Sequence, residues 1–170
     1  IGSNTPRYGL FSSGGATGED CLIAIVQIAP LLLRSDGGLL AIVSEFMNPG
    51  TELTSKIERW WVSENAPNEA SGILFTNEFP IDASEYAQRR STKNDKDDVS
   101  VWAKHLNMFD IKTVSPGLLF IQTVYSEKDK EEVILRHAVV PKSKLGSIWT
   151  PHNYCAIEYT SKILTDLYKK

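Results

Sequence analysis

The run Leu39–Phe46 (LLAIVSEF) constrains this chain more than any other stretch. Gly37-Gly38 precedes it and Asn48-Pro49-Gly50 follows it. An apolar run this short, held between two turn signals, suits a strand rather than a helix. Both of its faces are apolar, which predicts a buried, parallel strand. Ahead of it, from Glu19 to Arg34, apolar residues fall almost all round a helix: Leu22, Ile23, Ile25, Val26, Ile28, Leu31 and Leu32. That pattern predicts burial on every side. Glu19 and Asp20 suit the first turn, where the helix dipole favours negative charge, and Pro30 predicts a kink. A buried helix that turns through glycines into a buried strand indicates an α/β domain.

The remaining periodicities extend this order. Leu53, Ile57, Trp60 and Trp61 share one helical face in a segment that starts near Thr51. Residues 63–71 read as a polar loop and 72–79 (GILFTNEF) as a second strand. Asp82 is positioned to cap a short helix that carries Tyr86. The polar run 89–98 (RRSTKNDKDD) reads as a solvated, mobile loop. Val99, Trp102, Leu106 and Phe109 mark a further amphipathic helix. Residues 110–114 and 118–125 read as two strands joined at Ser115-Pro116-Gly117. Residues 127–132 form a charged connection and 133–140 a last strand stopped by Pro141. A loop at 146–153 and a closing helix at 154–168 complete the chain. The expected sheet is mixed, parallel first and antiparallel toward the C-terminus.

Composition narrows the function classes. The chain has 170 residues, enough for one domain, with 42% hydrophobic and 23% charged residues. Its 18 basic and 21 acidic residues leave a net charge of -3, which argues against a general polyanion binder. Cys21 and Cys155 lack any metal-type spacing and read as reduced thiols of a cytoplasmic protein. No apolar run is long enough for a membrane span, no signal peptide is visible and no metal site is expected. The chain opens Ile1-Gly2-Ser3 without methionine, as a processed or truncated polypeptide would.

Few residues stand out as chemistry. Gly14-Gly15-Ala16-Thr17-Gly18 misses the GxGxxG spacing and lacks the lysine of a P-loop. It can present backbone N–H groups to an anion, although a plain loop is the simpler reading. His105, His137 and His152 are scattered, and His152, beside Trp149 and Asn153, is the most site-like. Glu45 sits at the C-terminal end of its strand, where α/β sheets place ligands.

Residues Asn4-Thr5-Pro6-Arg7-Tyr8-Gly9-Leu10-Phe11 resemble the target loop of class I S-adenosylmethionine-dependent methyltransferases. In that family an Asn/Asp-Pro-Pro-aromatic loop follows the fourth strand and leads through a helix and a Gly-Gly turn into the fifth. Here the loop has Thr5 in place of the first proline and an added Arg7 before the aromatic. The helix ending near Phe109 and the DIKTV and SPGLLFIQTV segments are similar to the family's closing helix and antiparallel strand pair.

The resemblance implies a partial Rossmann-like methyltransferase sheet over residues 1–126, with 72–98 as an insertion and 127–170 as an extension packed on the same domain. It implies Asn4, Pro6 and Tyr8 as the catalytic loop. The asparagine and a backbone carbonyl would hold a target nitrogen while the aromatic covers its plane. Phe11, Glu45 and His152 are the candidate substrate contacts. The cofactor implied is S-adenosylmethionine, and the acceptor a nitrogen on a protein or RNA. The family's cofactor contacts lie N-terminal to the target loop. This chain alone is therefore expected to bind the cofactor weakly or not at all, and to be inactive by itself. A strand left without its neighbour offers an open apolar edge, which predicts a homodimer. A catalytically inactive, dimeric binding module derived from the same fold is the alternative.

Overall fold

A computed structural model describes residues 14–35, 37–61, 69–91, 96–124 and 133–140. The elements are α1 (Asp20–Leu32), β1 (Leu39–Met47), α2 (Leu53–Trp61), β2 (Glu69–Asn77), β3 (Ile81–Asp82), α3 (Ala83–Arg90), α4 (Lys96–Met108), β4 (Thr113–Val124) and β5 (Val133–Val140). The strands form one open sheet in the order β1-β4-β2-β5, and β3 pairs with β4 beyond the end of β2. β4 is antiparallel to both β1 and β2, and β5 is parallel to β2. The fold is α/β, with a mixed sheet and flanking helices, consistent with a partial Rossmann-like arrangement.

The main core lies on one sheet face. Leu22, Val26 and Ala29 of α1 and Leu53, Ile57 and Trp61 of α2 cover Phe46, Leu74, Leu119, Ile121 and Leu135. Each large side chain buried this way stabilises the fold by about 1.5–3 kcal/mol. On the opposite face Ile73, Phe75 and Leu118 form a smaller cluster. At one end of that face, α3 and α4 pack Tyr86, Trp102 and Leu106 on Met47 and Val114. Gly117 allows the central strands to meet. A Cβ there would lie 2.6 Å from the Phe75 carbonyl oxygen and 2.7 Å from the Phe46 ring.

Several expectations change. β1 is an edge strand paired antiparallel with β4, not a parallel strand buried on both faces. Leu39 and Val43 stay exposed, because apolar composition signals a preference for burial and not the presence of a covering layer. α1 is likewise buried on one side only. Ile25, Ile28, Leu31 and Leu32 form an exposed apolar row, with Leu32 at 74% exposure. Pro30 sits in the last turn of α1 and packs into the core.

The two strands expected around Ser115-Pro116-Gly117 are one continuous β4. Pairing with β1 along all three residues, and with β2 at Gly117, holds them extended, which overrides the local turn signal. The polar run 89–98 is divided between helices: Arg89 and Arg90 end α3, and Lys96 to Asp98 begin α4. Basic residues at a helix C-terminus and acidic ones at an N-terminus both complement the dipole. Asp82 occupies the N-cap position of α3 but makes no side-chain capping bond. β2 starts at Glu69, three residues before the expected 72, and ends at Asn77. Residues 72–98 supply most of β2, all of β3 and α3, and the start of α4. The expected helix at 154–168 lies outside the described residues.

Candidate functional site

Among the described residues the sheet is interrupted between β2 and β3. β2 pairs with β4 as far as Thr76↔Gly117, and pairing resumes with β3 at Ile81↔Val114. Residues 77–80 therefore stand opposite only Ser115 and Pro116. Proline has no N–H to offer a ladder, so the partner strand bulges away from it. The Ser115 hydroxyl substitutes for part of the lost ladder: its oxygen accepts the Asn77 N–H at 3.1 Å. Bulges of this kind re-aim side chains and recur beside active sites.

Glu45 lies across Pro116 from this bulge, in register with that proline. Val43 and Phe75 both pair with Leu118 and so share a face. Glu45 and Asn77 follow them by two residues and face the same way. Two strand spacings set their Cα atoms about 10 Å apart.

Helix α3 completes the cluster. The Tyr86 hydroxyl donates to Glu45 Oε2 at 2.6 Å, and Arg90 pairs with the same oxygen. Arg90 Nε also donates to the Tyr86 oxygen at 3.0 Å, and its guanidinium lies 5.2 Å from the Tyr86 ring centroid. The i, i+4 spacing of Tyr86 and Arg90 puts both on one helix face. Burial, reinforced by the Glu45 carboxylate, pushes the Tyr86 phenol well above its ordinary range, so it stays a donor. Partial burial opposes the charge of Arg90, but Glu45 and Tyr86 outweigh it and raise its pKa. Glu45 remains part-exposed, and both of these bonds fall on Oε2.

Asn77 is the least satisfied member. It is 8% exposed, and among the described residues its Oδ1 has no hydrogen-bond partner. A buried acceptor left empty costs about 1–3 kcal/mol. Phe79, two residues further on, is 71% exposed.

The glycine loop beside this end is closed by its own residues. Ala16 N–H donates to Asp20 Oδ2 at 2.7 Å, and the Thr17 hydroxyl pairs with Asp20 Oδ1. The Thr17 side-chain bond, helped by backbone bonds from Ala16 and Thr17, holds the Asp20 carboxyl below its ordinary value against an opposing burial effect. Gly18 N–H donates to Gly15 O. Among the described residues, the Ala16 and Thr17 donors face the Asp20 carboxylate and the Gly18 N–H a backbone carbonyl, so none of the three is directed at an external anion. Glu19 is buried behind it, accepting from Met47 N–H at 3.0 Å and from Lys56 Nζ at 2.5 Å. His105 Nε2 donates to Ala16 O at 2.8 Å and its ring packs near Phe109, a structural role. His137 shares a 2.6 Å hydrogen bond with Thr76, and burial lowers its pKa.

Of the residues expected at a site, Glu45 is described and stands in this cluster. Asn4, Pro6, Tyr8, Phe11 and His152 lie outside the described residues. Asn77, Phe79 and Arg90 were not expected there. The available signal was Pro116 inside a strand-like run, which read as a turn. Among the described residues no His, Cys, Asp or Glu group is arranged to hold a metal, and no helix is long and apolar enough to cross a membrane. No known protein family matches the sequence, and comparison with curated proteins finds no similar one.

Proposed function

We propose that this chain forms the acceptor-recognition side of an S-adenosylmethionine-dependent methyltransferase acting on a nitrogen of a protein or RNA. The observation that carries the reading is the setting of β1. It follows α1 through a glycine turn, takes the antiparallel β4 on one edge, and ends in the Glu45 cluster. The resemblance implies the same succession for a methyltransferase's fifth strand and its antiparallel closing segment. Glu45 would contact the acceptor, with Asn4, Pro6 and Tyr8 as the catalytic loop and Phe11 and His152 as further contacts.

The described residues do not fit the cofactor. The glycine-loop donors on Ala16 and Thr17 are taken by Asp20. Cofactor contacts would come from residues other than these.

The test is methyl transfer from labelled S-adenosylmethionine to protein and RNA fractions by the product of the intact gene. Label on a nitrogen of either fraction, reduced by Glu45→Gln, is the expected result. Absence of transfer from a folded, cofactor-binding sample would reject the reading. Calorimetric titration of the 170-residue chain alone is expected to show no micromolar binding of S-adenosylmethionine or S-adenosylhomocysteine.

A second reading, a dimeric interaction module, is favoured by the apolar row Ile25, Ile28, Leu31 and Leu32 and by the exposed Leu39 and Val43 on edge strand β1. Sedimentation velocity tests it. A dimer that Ile28→Glu with Leu32→Lys converts to monomer is expected, and a monomer at high micromolar concentration rejects it.

A further inference from the structure

We infer that β1 is a pairing edge for the β1 of a second copy of this chain, antiparallel about a two-fold axis at Ala41, with the two α1 helices side by side over the joined sheet. This rests on the dimeric reading, to which it gives a geometry, and is independent of methyl transfer.

The ladder shows which backbone groups of β1 are unused. β1 and β4 face one another from Leu39↔Gln122 to Met47↔Val114. In an antiparallel pair, directly opposed residues alternate between exchanging hydrogen bonds and exchanging none. Thr123 N–H donates to Gly38 O at 2.9 Å and Asn48 N–H to Thr113 O at 2.8 Å, so the even-numbered residues bond to β4. The odd-numbered ones direct N–H and C=O away from β4. Met47 obeys this: its N–H donates to Glu19 Oε1 at 3.0 Å and its C=O accepts from Lys56 Nζ at 3.4 Å. Leu39, Ala41 and Val43 have no backbone partner on that side among the described residues. None of them is charged, a proline or part of a bulge, the devices that ordinarily block an edge.

The apolar row of α1 faces the same way. α1 runs antiparallel to β1: Glu19 at its start reaches Met47, and Arg34 O beyond its end accepts from the Thr123 hydroxyl beside Gly38. Leu40, Ile42 and Phe46 point toward the helix side of the sheet. Viewed from that side with β1 running upward, L-chirality turns the N–H and C=O of these residues to the right. β4 is therefore on the right and the free edge on the left. α1 runs downward, and its right-handed turn carries Ile25, Ile28 and Leu32 about a quarter-turn to the left of the buried line Leu22, Val26 and Ala29. These three, with Leu39 and Val43, are between 44% and 74% exposed.

A second copy covers both features at once. An extended peptide would use the strand edge and leave the α1 row bare, and an apolar helix would do the reverse. What fits is a strand with its own apolar helix in the same relation, and a two-fold axis normal to the sheet supplies that from this chain. The spacing agrees. Helices pack about 8–10 Å apart, two strand spacings, so one helix covers two strands. α1 and α2 lie side by side on one face, with α2 reaching β5 through Glu58, whose Oε1 accepts the Leu135 N–H at 2.9 Å. Joining two copies at β1 continues that spacing between the two α1 helices. With Ala41 on the axis, Leu39 stands opposite the partner's Val43, an apolar cross-strand pair made twice. The Gly37 turn at one end and the occupied Met47 groups at the other limit the ladder.

Hydrogen exchange of the 170-residue chain at low and high micromolar concentration, alongside sedimentation velocity, tests this. A dimer is expected in which the Ala41 and Val43 amides gain at least about tenfold protection as concentration rises, while Leu40 and Ile42 are protected throughout. A dimer without added protection at Ala41 and Val43 would overturn this inference and leave the dimeric reading standing. A monomer at high micromolar concentration would sink both, whether or not those amides are protected.

Ala41→Pro removes an outward N–H and leaves the ladder to β4 whole, as proline on an edge strand does. It is expected to weaken the dimer at least about tenfold with an unchanged melting temperature for the dilute monomer. If that variant does not fold, Val43→Lys decides with the same expectation, because it alters an exposed side chain set opposite the partner's Leu39. A folded variant of either kind that dimerises as tightly as the parent chain would count against the pairing.

Discussion

The two halves of β4 follow different rules. From Gly117 to Gln122 the strand has ladder partners on both sides, and the side chains from Leu118 to Ile121 alternate between two apolar clusters. From Val114 to Pro116 it keeps β1 but loses β2 at a proline, and polar groups take over. The regular half holds the sheet together. The interrupted half gathers an unfilled acceptor, a bound carboxylate and an exposed aromatic at the strand ends. One strand thus supplies both stability and a candidate site, because a proline placed off-centre breaks the ladder at one end only.

The sharpest way to break this comparison is in the regular half. Leu119 is fully buried between α1, α2 and the sheet. Leu119→Ala should cost about 2–5 kcal/mol in chemical denaturation, and a loss under about 1 kcal/mol would mean that this half is not the stabilising one. Gly117 marks the boundary. Gly117→Ala would drive a Cβ into the Phe75 carbonyl and the Phe46 ring, and should cost about 1–3 kcal/mol with a lower melting temperature.

In the interrupted half the expected loss is smaller. Ser115→Ala removes the acceptor of the Asn77 N–H, so about 1–2 kcal/mol should disappear, and exchange of that amide should speed up in hydrogen-exchange measurements. The least effect is expected from pH. Burial lowers the pKa of His137 in the folded protein, so the unfolded chain takes up its proton first as pH falls. Stability should therefore decline as pH drops below about 6.5, and His137→Gln should flatten that slope. An unchanged slope would remove His137 from the account.

Legibility in the sequence followed the same division. The helix ahead of β1, the β1 run itself and the Leu53-Ile57-Trp61 stripe were readable, because periodicity reports which side chains seek a core. Glu45 was readable as a strand-end carboxylate. Asn77 and Phe79 were not, because nothing local separates a bulge from a strand that simply ends. Arg89 and Arg90 looked like solvated charge until the helix geometry of α3 set Arg90 beside Tyr86 and Glu45.

What the sequence determined by itself was the identity and order of most elements, since these follow from apolar spacing and turn residues within a dozen positions. Only tertiary structure decided that β4 enters between β1 and β2, that β1 lies at an edge, and that Pro116 interrupts a sheet instead of making a turn. The physical reason is distance along the chain. Ser115 and Asn77 are 38 positions apart, and Glu45 and Arg90 are 45 apart. Pairings of that reach depend on which strands become neighbours, and no local pattern encodes that choice.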